Sequence, residues 1–118
     1  MLRTPEAARA AKLSAGRLLQ KLQKEANVSL YFVERTLPGI TPEALREAAQ
    51  SAKRTAIEFS ARGTPVTYLR STFVPEGERC YCLFESESEA VVREVQEVAQ
   101  VPFDRILPAA QIVAEDLE

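Results

Sequence analysis

Cys80 and Cys82 stand one residue apart inside Arg79 to Glu85, a run of strand-forming residues. Side chains of a strand alternate, so both thiols point to one face with their Cα atoms about 7 Å apart. That spacing makes a mutual disulfide awkward, because bridged Cα atoms sit at roughly 4.4–6.8 Å. Two reduced thiols so placed can share a soft metal ion after modest adjustment. They supply half of a tetrahedral four-sulfur site, and a strand near a dimer axis would let a partner chain supply the rest. The competing reading makes Cys80, Cys82 and Phe84 the helix-facing row of a central strand, since unpaired cysteine packs as a small hydrophobe.

Glu34, Arg35, Arg70 and Glu85 fall on neighbouring strand-like runs. Around a cleft, an acid with a raised pKa would move a proton and an arginine would hold an anion. Solvated strand ends explain the same four residues. Tyr31, Val33, Tyr81 and Leu83 are expected together on the face of the two central strands that helices leave bare, with Tyr31 and Tyr81 as ligand contacts. No catalytic residue is assigned. Histidine is absent from the chain, which removes the usual neutral-pH general base, the Ser-His and Cys-His nucleophile systems and the familiar zinc signatures. The four glycines are not grouped as a phosphate-binding loop demands.

Those residues must be positioned by elements whose signals are plain. Val28 to Arg35 is rich in strand formers and is closed by Leu37-Pro38-Gly39. Thr41-Pro42-Glu43 places a capping side chain, a proline and an acid at a helix start. Leu45, Ala48, Ala49, Ala52, Ala56 and Phe59 then share one helical face that ends near Gly63. Val66 to Val74 and Arg79 to Glu85 form a hairpin across Pro75-Glu76-Gly77-Glu78. Ser86 and Glu89 offer a capping box ahead of Val91, Val92, Val95, Val98 and Ala99 at helical spacing. Pro102 stops that helix, and Arg105 to Val113 reads as a last strand whose Pro108 belongs on a sheet edge.

The order βαββαβ predicts an α+β, ferredoxin-like antiparallel sheet in the spatial order 4-1-3-2, with two helices on one face. At 118 residues, 46% of them hydrophobic, the chain carries enough apolar surface for one core without disulfide or metal staples. It divides into a basic helical arm over 1–26, the ferredoxin-like domain over 27–114 and an acidic tail over 115–118. The arm opens on Thr4-Pro5-Glu6. Residues 4–15 match 41–52 at eight of twelve positions, which we read as shared helix-start chemistry rather than duplication. Residues 1–25 carry a net +4 and the remainder −6, so arm and body attract each other.

Tyr-Phe-Val-Glu-Arg-Thr-Leu-Pro-Gly-Ile-Thr-Pro-Glu (31–43), Ser-Thr-Phe-Val-Pro-Glu (71–76), Cys-Tyr-Cys-Leu-Phe-Glu (80–85) and Val-Pro-Phe-Asp-Arg-Ile (101–106) resemble a small bacterial family of unknown function, domain of unknown function 4242. That family includes the nickel-binding ferredoxin-like proteins. The resemblance implies a ferredoxin-like fold assembled as a homodimer, a dimeric α+β sandwich. It also implies nickel in some relatives, whose sites use histidine; with no histidine here, no cofactor is expected.

The expected function is a non-catalytic homodimeric module binding a small ligand or protein partner through Tyr31, Glu34, Arg35, Arg70, Tyr81 and Glu85. One alternative is a thiolate metal-binding or redox protein using Cys80 and Cys82. The other is a cofactorless enzyme in the sheet cleft, with Glu34 or Glu85 as base. The acidic body argues against nucleic acid as partner. No apolar run is long enough for a membrane span or signal segment, and a cytoplasmic protein is expected.

Overall fold

The computed structural model describes residues 29–117. The basic arm, its helix start and the segment matching residues 41–52 lie outside the described residues. Strand β1 (Ser29–Thr36) leads through the Leu37-Pro38-Gly39 turn into helix α1 (Pro42–Ala61). Strands β2 (Val66–Val74) and β3 (Arg79–Ser86) form the hairpin, helix α2 (Glu89–Ala99) follows, and β4 (Arg105–Ala109) closes the sheet. All strand pairs are antiparallel, in the spatial order β2-β3-β1-β4. This is the ferredoxin-like arrangement that the order of strand and helix signals predicts.

The helix starts follow local chemistry. Thr41 caps α1 by accepting from the Ala44 amide, with Pro42 in the first turn. The α2 cap is Ser88, which accepts from the Val91 amide. Ser86, expected in that place, instead ends β3 opposite Ser29 and accepts from the Ser88 amide. Strand β3 runs one residue further than its β-forming run, and the next serine in line takes the cap. Strand β4 is shorter than expected, ending at Ala109, and Ala114–Asp116 make a single 3-10 turn. Pro108 lies on β4, whose one partner in the sheet is β1, so its missing N–H interrupts no second ladder.

The core lies between the sheet and the two helices. Val33, Phe84, Val92 and Val95 are fully buried, with Ala52, Ala56 and Phe59 of α1 closing over them. Register decides which strand residues join them. Tyr31 pairs with Phe84, Val33 with Cys82 and Arg35 with Cys80, and directly paired residues share a face. Tyr31 and Val33 therefore face the helices and belong to the core, rather than the bare face expected of them. The opposite face carries Leu30, Phe32 and Glu34 of β1 and Tyr81, Leu83 and Glu85 of β3.

Strand β2 switches faces midway. Tyr68 pairs with Phe84, but Arg70 pairs with Leu83, so Leu69 is the extra residue of a bulge. Without it, alternation would carry Arg70 to the helix side with Tyr68. With it, Ser71 turns inward opposite Cys82 and Arg70 turns outward.

Candidate functional site

The inward row of β3 places Cys80 and Cys82 against α1, 1% and 3% exposed, with their Sγ atoms 3.8 Å apart. Four further side chains gather around the pair, Ser71 and Arg35 in contact with it and Tyr68 and Gln96 behind them. Ser71 Oγ lies 3.0 Å from Cys82 Sγ and 2.6 Å from the Tyr68 hydroxyl. Arg35, from the directly neighbouring strand, donates its Nε to Cys82 Sγ at 3.4 Å. Its two other nitrogens donate to Gln96 Oε1 at 2.7 Å and to the Pro102 carbonyl at 3.2 Å. Gln96, fully buried on α2, donates its own amide to the Val92 carbonyl at 2.9 Å, which fixes Oε1 toward the guanidinium.

Arg35 is 2% exposed. A buried charge without compensation costs several kcal/mol, of the order of 3–5 when its partner is removed. Of the three groups that receive its hydrogen bonds, the amide and the carbonyl are neutral; the sulfur of Cys82 alone can carry a negative charge. Glu34 does not serve, because it lies on the other face of the sheet, where Arg79 at 3.3 Å and Arg105 bind its carboxylate. The site is thus built around a Cys82 thiolate. Donation from the Cys80 thiol, reinforced by the Arg35 charge and by Ser71, holds the Cys82 pKa well below the usual thiol range against the opposing effect of burial. The Cys80 thiol is pushed strongly upward, first because its proton is held by Cys82, then by burial and by the negative charge beside it.

A small cavity adjoins both sulfurs. It offers about 10 Å³ to the centre of a water molecule, the room one water or one ion needs. Leu37, Leu45, Ala48 and Ala49 form its apolar wall, and Arg35 and Ser71 its polar one. Among the described residues no buried side-chain nitrogen or oxygen lacks a partner, and no three histidine, cysteine or acidic residues come together as a metal cage.

The residues singled out in the sequence therefore divide between two faces. Cys80, Cys82, Arg35 and Tyr31 are inside, while Glu34, Arg70, Tyr81 and Glu85 lie on the opposite face, so no single cleft joins them. Arg70 bonds Gln111 at 3.0 Å, which ties the segment after β4 to β2. The expected four-sulfur site at a dimer axis is not compatible with this placement, since the helices of the same chain cover the thiols. Three members of the site, Ser71, Tyr68 and Gln96, belong to no catalytic or metal-binding motif in the sequence. Gln96 left a trace: it follows Val92 by four residues, on the buried stripe of α2.

The family model for nickel responsive proteins of the SCO4226-like type matches residues 31–108. The chain belongs to the SCO4226-like family. Its fold is also that of a solved structure, SCO4226 from Streptomyces coelicolor A3(2), with a TM-score of 0.59 and 22% identity over 72% of this chain and 100% of that one. No curated protein sequence matches the chain. No helix among the described residues is long and apolar enough to cross a membrane. The family name points to nickel, and the residues do not fit it in its usual form: imidazole and oxygen donors suit that ion, and this site offers two sulfurs, an arginine and an alkyl wall.

Proposed function

We propose that this protein is a non-catalytic binding module that takes up a soft metal ion between Cys80 and Cys82. The observation that carries this reading is the 3.8 Å separation of two buried sulfurs beside a cavity of ionic size. With metal–sulfur bonds of about 2.3 Å, two thiolates on one ion stand roughly 3.8 Å apart at a tetrahedral angle and 4.6 Å apart when linear. The thiols are thus close to chelating distance as they stand. Their placement at alternate positions of one strand also opposes a disulfide, for which Cβ atoms must approach to about 3.8 Å. A pair that chelates more readily than it closes suits metal capture better than thiol–disulfide exchange, and membership of a family named for nickel responsiveness agrees with a metal-related role. Two reduced thiols also suit the cytoplasm.

The experiment is elemental analysis of tag-free protein exposed to soft metal ions under reducing conditions, with thiols counted before and after loading. One ion per chain and loss of the ion in Cys82→Ser support the reading. Stoichiometric metal retained by a Cys80→Ser, Cys82→Ser double variant would sink it.

We further propose a homodimer in which the outer sheet faces meet. Leu30, Phe32, Tyr81 and Leu107 give that face an apolar centre, and Glu34 and Glu85 share it with Arg70 and Arg105. A surface carrying both signs beside an apolar strip can pair with its own copy about a two-fold axis. Mass in solution tests this: a dimer that Phe32→Glu dissociates supports it, and a monomer at high concentration contradicts it.

A further inference from the structure

Resting on the metal-binding reading above, we propose that the ion this site selects is monovalent and two-coordinate, of the copper(I) class, with Arg35 as the fixed counter-charge. Two independent features of the site lead there.

The first is donor count. Borderline divalent ions such as zinc complete a tetrahedron, and nickel and copper(II) favour four or more nitrogen and oxygen donors. Around the cavity the donors are Cys80 and Cys82, with the Ser71 hydroxyl engaged to Cys82 and Tyr68. Among the described residues the remaining wall is alkyl, from Leu37, Leu45, Ala48 and Ala49, and holds no further ligand. A soft monovalent ion needs only two thiolates in a line. The sulfurs would open from 3.8 Å by less than about 1 Å to reach that geometry.

The second is charge. On binding, the ion displaces the Cys80 proton to solvent; the two thiolates and one monovalent ion then carry −1 together, and the Arg35 guanidinium bonded to Cys82 brings the buried assembly to zero. A divalent ion in the same place would leave +1 in a dry pocket, within reach of a guanidinium that Gln96 and Pro102 hold in position. The guanidinium, about 5 Å from the ion at an effective dielectric near 20, repels a second unit charge and so shifts the preference between the two ions by roughly 250-fold toward the monovalent one. The arginine that makes the site unsuited to nickel therefore suits it to copper(I).

The test is competitive titration of the reduced full chain, without oxygen, using copper(I) held by a chromophoric chelator, and in parallel zinc(II) and nickel(II). The expected result is one copper(I) per chain, bound more tightly than either divalent ion, with Arg35 supplying roughly 250-fold of that preference. An Arg35→Gln variant should narrow that gap, and circular dichroism reports whether it is folded. Zinc or nickel binding as tight as copper(I), still dependent on Cys80 and Cys82, would overturn monovalent selectivity while leaving the metal-binding reading intact. No binding of any of the three would remove both. The wild-type comparison decides the matter even where the arginine variant does not fold.

Discussion

Arg35 Nε lies 3.4 Å from Cys82 Sγ, across the β1–β3 ladder and under the cover of both helices. This contact organises the inner face of the sheet. It sets the one ionisable acceptor against a buried guanidinium, it adds to the Cys80 hydrogen bond in favouring the ionised form of Cys82, and the same guanidinium ties strand β1 to α2 through Gln96.

Removing the guanidinium should be costly. In Arg35→Leu the Gln96 and Pro102 oxygens lose their donor, while Cys82 relieves its own charge by taking a proton. The expected loss is about 3 kcal/mol, the lower end for breaking a buried pair. Urea denaturation checks this, and a loss below the scatter expected of surface substitutions would show that the pairing stabilises nothing.

Gln96 offers a subtler lever. Gln96→Glu would set a carboxylate where Oε1 now lies, 2.7 Å from Arg35 Nη2, and that anion would compete with the thiolate for the same positive charge. Ultraviolet thiolate absorbance followed against pH should then show Cys82 ionising at a higher pH than in the wild type. An unchanged titration would mean that Arg35 does not set the ionisation.

The pH dependence of stability has a definite sign. The folded-state pKa of Cys82 is lowered, so the stability its ionisation contributes is complete above the ordinary thiol value of about 8.5 and is lost as pH falls through the folded value. Cys80 is shifted the other way, so its contribution is complete below about 8.5 and declines at higher pH. Denaturation of wild type and Cys82→Ser at a series of pH values should give a stability difference that shrinks on acidification. A difference that grows toward low pH would contradict the assignment of the thiolate to Cys82.

Phe84 tests the core beneath the site. It is fully buried between Tyr31 on one side and Tyr68, whose ring meets it edge-on at 5.5 Å, on the other. Phe84→Ala should cost about 3–5 kcal/mol, read from thermal or chemical denaturation.

Much of this arrangement could be read from the chain. Thr41-Pro42-Glu43 announced α1, the Pro75-to-Glu78 turn fixed the hairpin, and the order of elements gave the sheet. The faces were harder. Leu30, Tyr31, Phe32 and Val33 are four apolar residues in succession, so β1 shows no alternation to say which side is inward, and pairing with β3 had to settle it. Ser71 reaches Cys82 only because of the bulge at Leu69, and no local signal distinguishes that extra residue from its neighbours. Gln96 is polar at a buried helical position, where hydrophobic periodicity passes over it; its reason for being there is an arginine 61 residues away along the chain.

X-ray absorption at the metal edge of the loaded protein addresses the central claim most directly. A first shell of two sulfurs, with no nitrogen or oxygen neighbour and lost on replacing Cys82 by serine, is the result expected. A shell of nitrogen and oxygen alone, unaffected by that replacement, would place the metal elsewhere and leave the two thiols as core packing.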